Sequence, residues 1–302
     1  MTTHYDLIVV GEGIAGLSCA NAAASLGLKV ATFEAEFFGG LITNINELDR
    51  FEEADGLSGM DYAAQLARAN RQAGVSSRTA SVSGIRATED GFTVDTEAGT
   101  FSARAVAIAS GASVCKLNVP GEEAFEGRGV SHCADCDAPM FTGTEVVVIG
   151  SGDWALHEAL VLAPECTTVH VVHQGSAPGA SSDYLARASA AGNIHLHSDT
   201  TIEAVLGEAM VTAVRLRSAD GSQHELPCAG VFPFAGLQPN TAVAPREAER
   251  DAEGHLLVDT ELRTSMPGLW AIGQARAGFG GWLSDAIADG RRAAQAIQAY
   301  TA

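Results

Sequence analysis

Hydrophobic positions fall in short, nearly continuous runs separated by longer amphipathic stretches. Tyr5 to Val10 is the first run; a glycine-rich turn follows, then a segment rich in Ala and Leu to about Leu26, then a second run from Lys29 to Glu34. Unbroken apolar runs of this length suit strands covered on both faces, and the segment between them is long enough for a helix. The order strand, turn, helix, strand returns later, with Glu145 to Ile149, a helix to about Leu162 and a strand from Thr168 to His173. The pattern predicts an α/β chain with two Rossmann-like (three-layer ββα) dinucleotide-binding domains.

The turns support this. Gly11, Glu12, Gly13, Ile14, Ala15 and Gly16 form a GxGxxG between the first strand and helix, and Glu34 closes the next strand. Glycines at those places let the backbone approach a pyrophosphate at the helix N-terminus, and an acid at the strand end accepts hydrogen bonds from the adenosine ribose. A lone GxGxxG is a weak signal, but the flanking strands and Glu34 supply the context that it requires. The second turn, Gly150, Ser151, Gly152, Asp153, Trp154 and Ala155, is an altered copy.

Composition bounds the reading. A length of 302 residues with 46% hydrophobic content accommodates two medium cores. The longest apolar runs are too short to span a bilayer, and the N-terminus opens on a strand rather than a targeting segment, so neither membrane insertion nor export is expected. A formal charge of -19 opposes binding to nucleic acid or acidic membrane surfaces. Six cysteines are too few for a disulfide scaffold, which points to a reducing cytoplasm.

Two of those cysteines carry the chemistry. Cys133, Ala134, Asp135 and Cys136 form a CxxC followed at once by Asp137, a short way before the second glycine turn. A vicinal dithiol closes into a disulfide and reopens, storing two electrons. Structural zinc is the alternative, but zinc needs four ligands and there is no second CxxC; Cys19, Cys115, Cys166 and Cys228 stand apart and are expected to be buried thiols. No metal site is expected. Asp137 beside the pair is suited to moving the thiol proton in either direction.

Taken together, GEGIAG at 11 to 16, Gly39 and Gly40, Ala109 to Gly111, VPGE at 119 to 122, CADCD at 133 to 137, Pro239 and Asn240, and Gly268 to Gly273 resemble the low-molecular-weight thioredoxin reductases and their relatives over nearly the whole chain. The place of the CxxC is the most specific part, because glutathione-reductase-like enzymes carry the pair after the first glycine motif, where this chain has Leu41. The resemblance implies an FAD domain built from residues 1–114 and 241–302, with an NAD(P)-binding-like domain, 115–240, inserted and carrying the CxxC. It also implies a homodimer acting on a thioredoxin-like protein or a small dithiol. Catalytic residues would be Cys133, exchanging with the partner, Cys136, facing the flavin, and Asp137. FAD would be held by Gly11, Gly13, Gly16, Glu34, Gly40, Gly111, Gly273, Gln274 and Trp282.

The departures from the family are as informative. After the strand ending at His173, NADPH-using members carry HRRxxxR, whose arginines clamp the 2'-phosphate; here the run is His173, Gln174, Gly175, Ser176, Ala177, Pro178, Gly179. Each lost guanidinium contact removes a few kcal/mol where it is desolvated, about that much for a charge-assisted pair. No acid takes its place as an NADH site would have it. Trp154, in place of a small residue, is expected to crowd the pyrophosphate, so Gly150, Gly152, Trp154 and Gln174 read as a vestigial nicotinamide site. At the flavin end Gln274 replaces an aspartate, Gly281, Trp282 and Leu283 replace RQA, Leu41 replaces a glutamine and Arg50 an asparagine. The last helix, from near Trp282, still aims its N-terminus at the flavin.

Three readings follow. The first is an FAD-dependent dithiol/disulfide oxidoreductase, dithiol-oxidase-like, without normal NADPH or NADH use: a substrate dithiol reduces the Cys133–Cys136 disulfide, and oxygen or another acceptor takes the electrons from FAD. The alternative is a thioredoxin reductase fed by NAD(P)H or by a ferredoxin-like donor, whose acidic surface would need a basic patch such as Arg291 and Arg292. The third is a non-catalytic flavin-binding scaffold, which the retained Cys133, Cys136 and Asp137 argue against.

Overall fold

The computed structural model describes residues 4–46, 48, 54 and 56–302. Arg50 lies outside the described residues. The chain forms two compact units, residues 1–113 with 238–302, and residues 114–237. In chain order the first stretch carries β1 (His4–Val10), α1 (Ile14–Ser25), β2 (Val30–Glu34), α2 (Gly59–Gln72), β3 (Ser76–Thr79), β4 (Val82–Thr88), β5 (Gly91–Thr96) and β6 (Gly99–Ile108), and leaves through β7 (Ala112–Val114). The second unit holds α3 (Ala134–Asp137), β8 (Glu145–Ile149), α4 (Asp153–Leu162), β9 (Thr168–Val172), α5 (Ser182–Ala191), β10 (Ile194–His197), β11 (Thr200–Gly207), β12 (Val211–Ser218), β13 (Gln223–Pro227) and β14 (Gly230–Pro233). The chain returns through β15 (Leu237–Pro239) and closes with β16 (Leu269–Ala271) and α6 (Leu283–Thr301).

The first unit is built on a seven-stranded sheet in the order β3-β2-β1-β6-β5-β4, with β16 also pairing β6. β1 runs parallel to both neighbours, Leu7 opposite Val30 and Ala105, Val9 opposite Thr32 and Ala107. Successive residues serve opposite faces: Ile8, Val10, Phe33, Val106 and Ile108 enter one core, and Leu7, Val9, Val30, Ala105 and Ala107 the other. That two-sided burial is why these strands read as unbroken apolar runs. α1 is apolar around most of its girth because it lies between the sheet and α6, sharing a core with Ala293, Ala294 and Ile297 while Ile14 and Leu17 pack with Tyr62 and Ala63 of α2.

The second unit repeats the logic with a four-stranded parallel sheet, β10-β9-β8-β14, and adds an antiparallel meander, β11-β12-β13. Val146, Val148, Val169, Val171 and Phe232 point to the helical side, where they meet Leu156, Ala159 and Leu162 of α4 together with Ala134 and Ala138 around the CxxC. Val147, Ile149, Val172 and Val231 point to the meander, against Ile202, Val205, Val214 and Leu216. Ala134 is fully buried, so the short dithiol helix is anchored by a methyl group set into the main core. Both units are thus Rossmann-like: strand, glycine turn, helix and parallel strand around a mixed α/β core.

Candidate functional site

In the first unit the sequence-selected glycines converge on the N-terminus of α1. Gly11 has φ 103°, and a Cβ there would lie 2.3 Å from the Ala109 carbonyl oxygen; a Cβ at Gly16 would lie 2.1 Å from the Gly11 oxygen. Only bare backbone fits that crossing of β1, α1 and the end of β6. Gly13 pairs with Gly39, the Gly39 N–H donates to the Glu12 carbonyl at 2.7 Å, and Gly40 lies beside Gly13. The Gly273 turn packs against Ala15. Gly111 sits at the foot of β7, its carbonyl taking the Asn240 N–H at 3.0 Å.

These residues suit a dinucleotide. Gly13 caps α1 without a side-chain hydrogen bond and the first turn has no acid, so its N–H groups face outward for an anion. Glu34 is held at the end of β2, one carboxylate oxygen accepting from the Glu12 N–H at 2.9 Å and the other from Glu36 N–H at 3.3 Å. Trp282 is the N-cap of α6 and 60% exposed; Gln274 lies in the short turn before it. Sequence reasoning missed what holds that turn. Asp289, buried on α6, takes the Gly273 N–H at 3.0 Å and a bidentate pair from Arg276 at 2.6 and 3.0 Å, and Arg276 lies over the Phe279 ring.

In the second unit Cys133 and Cys136 are joined in a disulfide with Cα atoms 5.4 Å apart. Cys133 is the N-cap of α3: its sulfur accepts the Cys136 N–H at 3.1 Å and its carbonyl accepts the Asp137 N–H at 3.2 Å. Cys136 is exposed, Cys133 half-buried, and Asp137 half-buried at the helix end. Beneath them is a residue that the sequence did not single out. Glu158 of α4 is buried; one carboxylate oxygen accepts the Ala134 N–H at 2.9 Å and the other the Trp154 indole N–H at 3.1 Å. Burial pushes its carboxyl from the ordinary 4.5 up to about 7, against the pull of those two hydrogen bonds, and the neighbouring Asp135 charge adds to the rise.

The second glycine turn opens onto a cavity of about 540 Å³ lined by Gly150, Gly152, Trp154, His173, Gln174 and Cys115 among others. Trp154 stands in the wall rather than filling the space, because Glu158 holds its N–H and Phe234 packs against its ring at 4.8 Å. His173, one of the lining residues, is buried, with Nε2 bonded to Ser198 and Nδ1 sealed from solvent without a partner among the described residues. Among the described residues no arginine lines the cavity, and Lys116, which does, is bound to Glu123 at 2.7 Å. Arg187 pairs with Asp183 and lies over Tyr184, outside the lining. Of the lone cysteines, Cys19 and Cys228 have thiols raised to about 12 by burial and Cys166 to about 11, but Cys115 is half-buried in the cavity wall, so the expectation of four buried thiols fails there.

Residues 5–300 match the family model described as pyridine nucleotide-disulphide oxidoreductase. The chain belongs to that family. The thioredoxin reductase of Treponema pallidum (strain Nichols) is 37% identical over 302 residues, 99% of this chain and 98% of that protein. That of Listeria innocua is 33% identical over 298 residues, covering 98% and 93%. The crystal structure of Lactococcus lactis thioredoxin reductase superposes with a TM-score of 0.92 at 29% identity, covering 98% of this chain and 99% of that one. As a pyridine nucleotide-disulphide oxidoreductase of the thioredoxin-reductase-like type, the protein is a flavin-dependent disulfide oxidoreductase. Among the described residues no helix is long and apolar enough to cross a membrane.

Proposed function

We propose that this enzyme is a thioredoxin-reductase-type disulfide reductase, drawing on a nicotinamide nucleotide at the α4 turn and delivering electrons through Cys133 and Cys136 to a thioredoxin-like protein disulfide. The observation that carries the reading is the open cavity beside Gly150 and Gly152, on the same unit as the disulfide. A chain that had abandoned nucleotide binding would have no need to keep an open space at this glycine turn, where Gly152 caps α4 without a side-chain hydrogen bond and the first-turn Asp153 is turned to the Ser181 N–H. The relatives named thioredoxin reductase support the same direction of flow.

Bound FAD would supply two-electron transfer between nicotinamide and sulfur. Gly11, Gly13, Gly16, Gly40 and Gly111 would give it backbone contact, Glu34 a ribose acceptor, and Gln274 and the α6 end capped by Trp282 the contacts nearer the ring. Once the disulfide is open, Cys133 attacks the partner disulfide as a thiolate and Cys136 resolves the mixed disulfide, with Asp137 holding or releasing the proton. A second copy of the chain as dimer partner and a reducing cytoplasm complete the proposal.

Among the described residues the cavity has no guanidinium for a 2'-phosphate, so NADH is expected to serve at least as well as NADPH. The same observation favours a second reading, the dithiol oxidase, in which the nucleotide plays no part. Anaerobic titration with NADH, NADPH and dithiothreitol, followed at the flavin band near 450 nm, separates them. Bleaching by a nicotinamide at micromolar concentration supports the reductase. Bleaching by dithiol alone, lost in Cys136→Ser, overturns it in favour of the oxidase.

A further inference from the structure

We propose that Glu158 is a positioning residue for the Cys133–Cys136 pair, holding the first peptide of the dithiol helix from below and placing a buried carboxyl on the peptide that follows Cys133. This rests on the reading of that pair as the reactive centre. The geometry is specific. Helix α3 has four residues and cannot hold itself in place; Ala134, its first residue, is fixed by a buried methyl and by the Glu158 hydrogen bond to its N–H at 2.9 Å. The same peptide is attached to the Cys133 carbonyl, which receives the Asp137 N–H, and the Cys133 sulfur receives the Cys136 N–H. Releasing Ala134 therefore frees both cysteines and Asp137 together. The other oxygen of Glu158 is occupied by Trp154, in the wall of the nucleotide cavity, which fixes the carboxyl plane.

A carboxylate one peptide from Cys133 disfavours the thiolate there, and protonation of Glu158, whose carboxyl is pushed up to about 7 by burial, removes that repulsion. The other charged groups near α4 are engaged elsewhere or too few to mask it. Asp135 on α3 acts in the same direction, and Asp137 closes that helix with its N–H on the Cys133 carbonyl; Asp153 accepts the Ser181 N–H; His157 packs on Tyr184; on α5 Asp183 and Arg187 face each other; on β9 His170 is tied to Glu145 of β8 and to His197, and His173 to Ser198.

The test is the equilibrium of the full-length protein with glutathione, disulfide plus two thiols giving dithiol plus glutathione disulfide, measured from pH 5.5 to 8.5 with thiol quantitation after acid quench. Glu158→Gln keeps an acceptor for the Ala134 N–H and removes the charge. It is expected to raise the equilibrium constant for reduction at pH 7.5 by about tenfold, roughly 30 mV for a two-electron couple, and to erase the inflection near neutral pH from the exchange rate. Trp154→Phe keeps charge and ring but removes one hydrogen bond to the carboxylate; it is expected to keep the inflection and move it upward. Wild-type equilibrium and pH profile in Glu158→Gln, with Cys136→Ser inactive, overturn the inference while leaving the reading of the dithiol intact. If Cys136→Ser keeps full activity, the reading itself fails. If Glu158→Gln does not fold, the Trp154→Phe profile decides alone: an unmoved inflection overturns the proposal.

Discussion

Gln174→Arg should restore discrimination in favour of NADPH. Gln174 follows β9 directly, is exposed, and lines the cavity where the family places its phosphate-binding arginines. A hydrogen bond to a charged group contributes about 1.5–3 kcal/mol when sheltered. Solvent at this open rim reduces it to about 1 kcal/mol. At about 1.4 kcal/mol per tenfold change, the KM for NADPH should fall roughly five-fold while that for NADH stays within about twofold. The kcat for both should hold, because a contact to the adenosine end binds ground and transition states alike. Steady-state kinetics with a dithiol-trapping disulfide, run with each nucleotide, supplies the ratio. Because the new contact is ionic and exposed, the gain should shrink towards twofold near 1 M salt, where the screening length is about 3 Å. An unchanged ratio of the two KM values, or an equal improvement for NADH, would refute the placing of the adenosine ribose at His173–Gln174.

Three further outcomes follow from the packing. Arg276→Ala leaves Asp289 buried without its bidentate partner, which should cost about 3–5 kcal/mol and lower the urea midpoint accordingly; a shift below 1 kcal/mol would show that the pair is not structural. Gly11→Ala forces a Cβ to 2.3 Å from the Ala109 oxygen at φ 103°, so the purified variant should lose most of its absorbance near 450 nm relative to 280 nm; full flavin content would contradict the cradle. The folded chain retains the Glu158 proton up to about pH 7, whereas the unfolded chain releases it near 4.5. The folded state thus binds more protons between those values, and the contribution of this group falls by about 3 kcal/mol as pH rises through that window. Urea titrations at pH 5 and 7.5 should show a pH dependence in the wild type that is smaller by this amount in Glu158→Gln.

What the sequence revealed and what it hid divide along contact range. Strand and helix identities were legible because burial on both faces leaves an unbroken apolar run, as in Leu7 to Val10, and because Gly11 and Gly16 announce a backbone crossing that admits no Cβ. The CxxC was legible because both sulfurs lie within one turn. Asp289 and Arg276 were not: on paper they are two more charges in a chain of net charge -19, and only the fold of α6 back over the Gly273 turn turns them into a buried pair. The same holds for Trp154. Read along the chain it is a bulky residue in a phosphate turn; in space its N–H meets Glu158 one helical turn later, and its ring packs in the cavity wall against Phe234, which is remote in sequence. Glu158 itself sits on the helix face that periodicity assigns to core, where a carboxylate reads as a misfit. It is tolerated there because its two oxygens take the N–H groups of Ala134 and Trp154, so removing the acid would take the acceptor from two donors, at about 1–3 kcal/mol each where they stay buried. A charged residue out of pattern, four places after an aromatic and behind a redox turn, is the signal that would have found it.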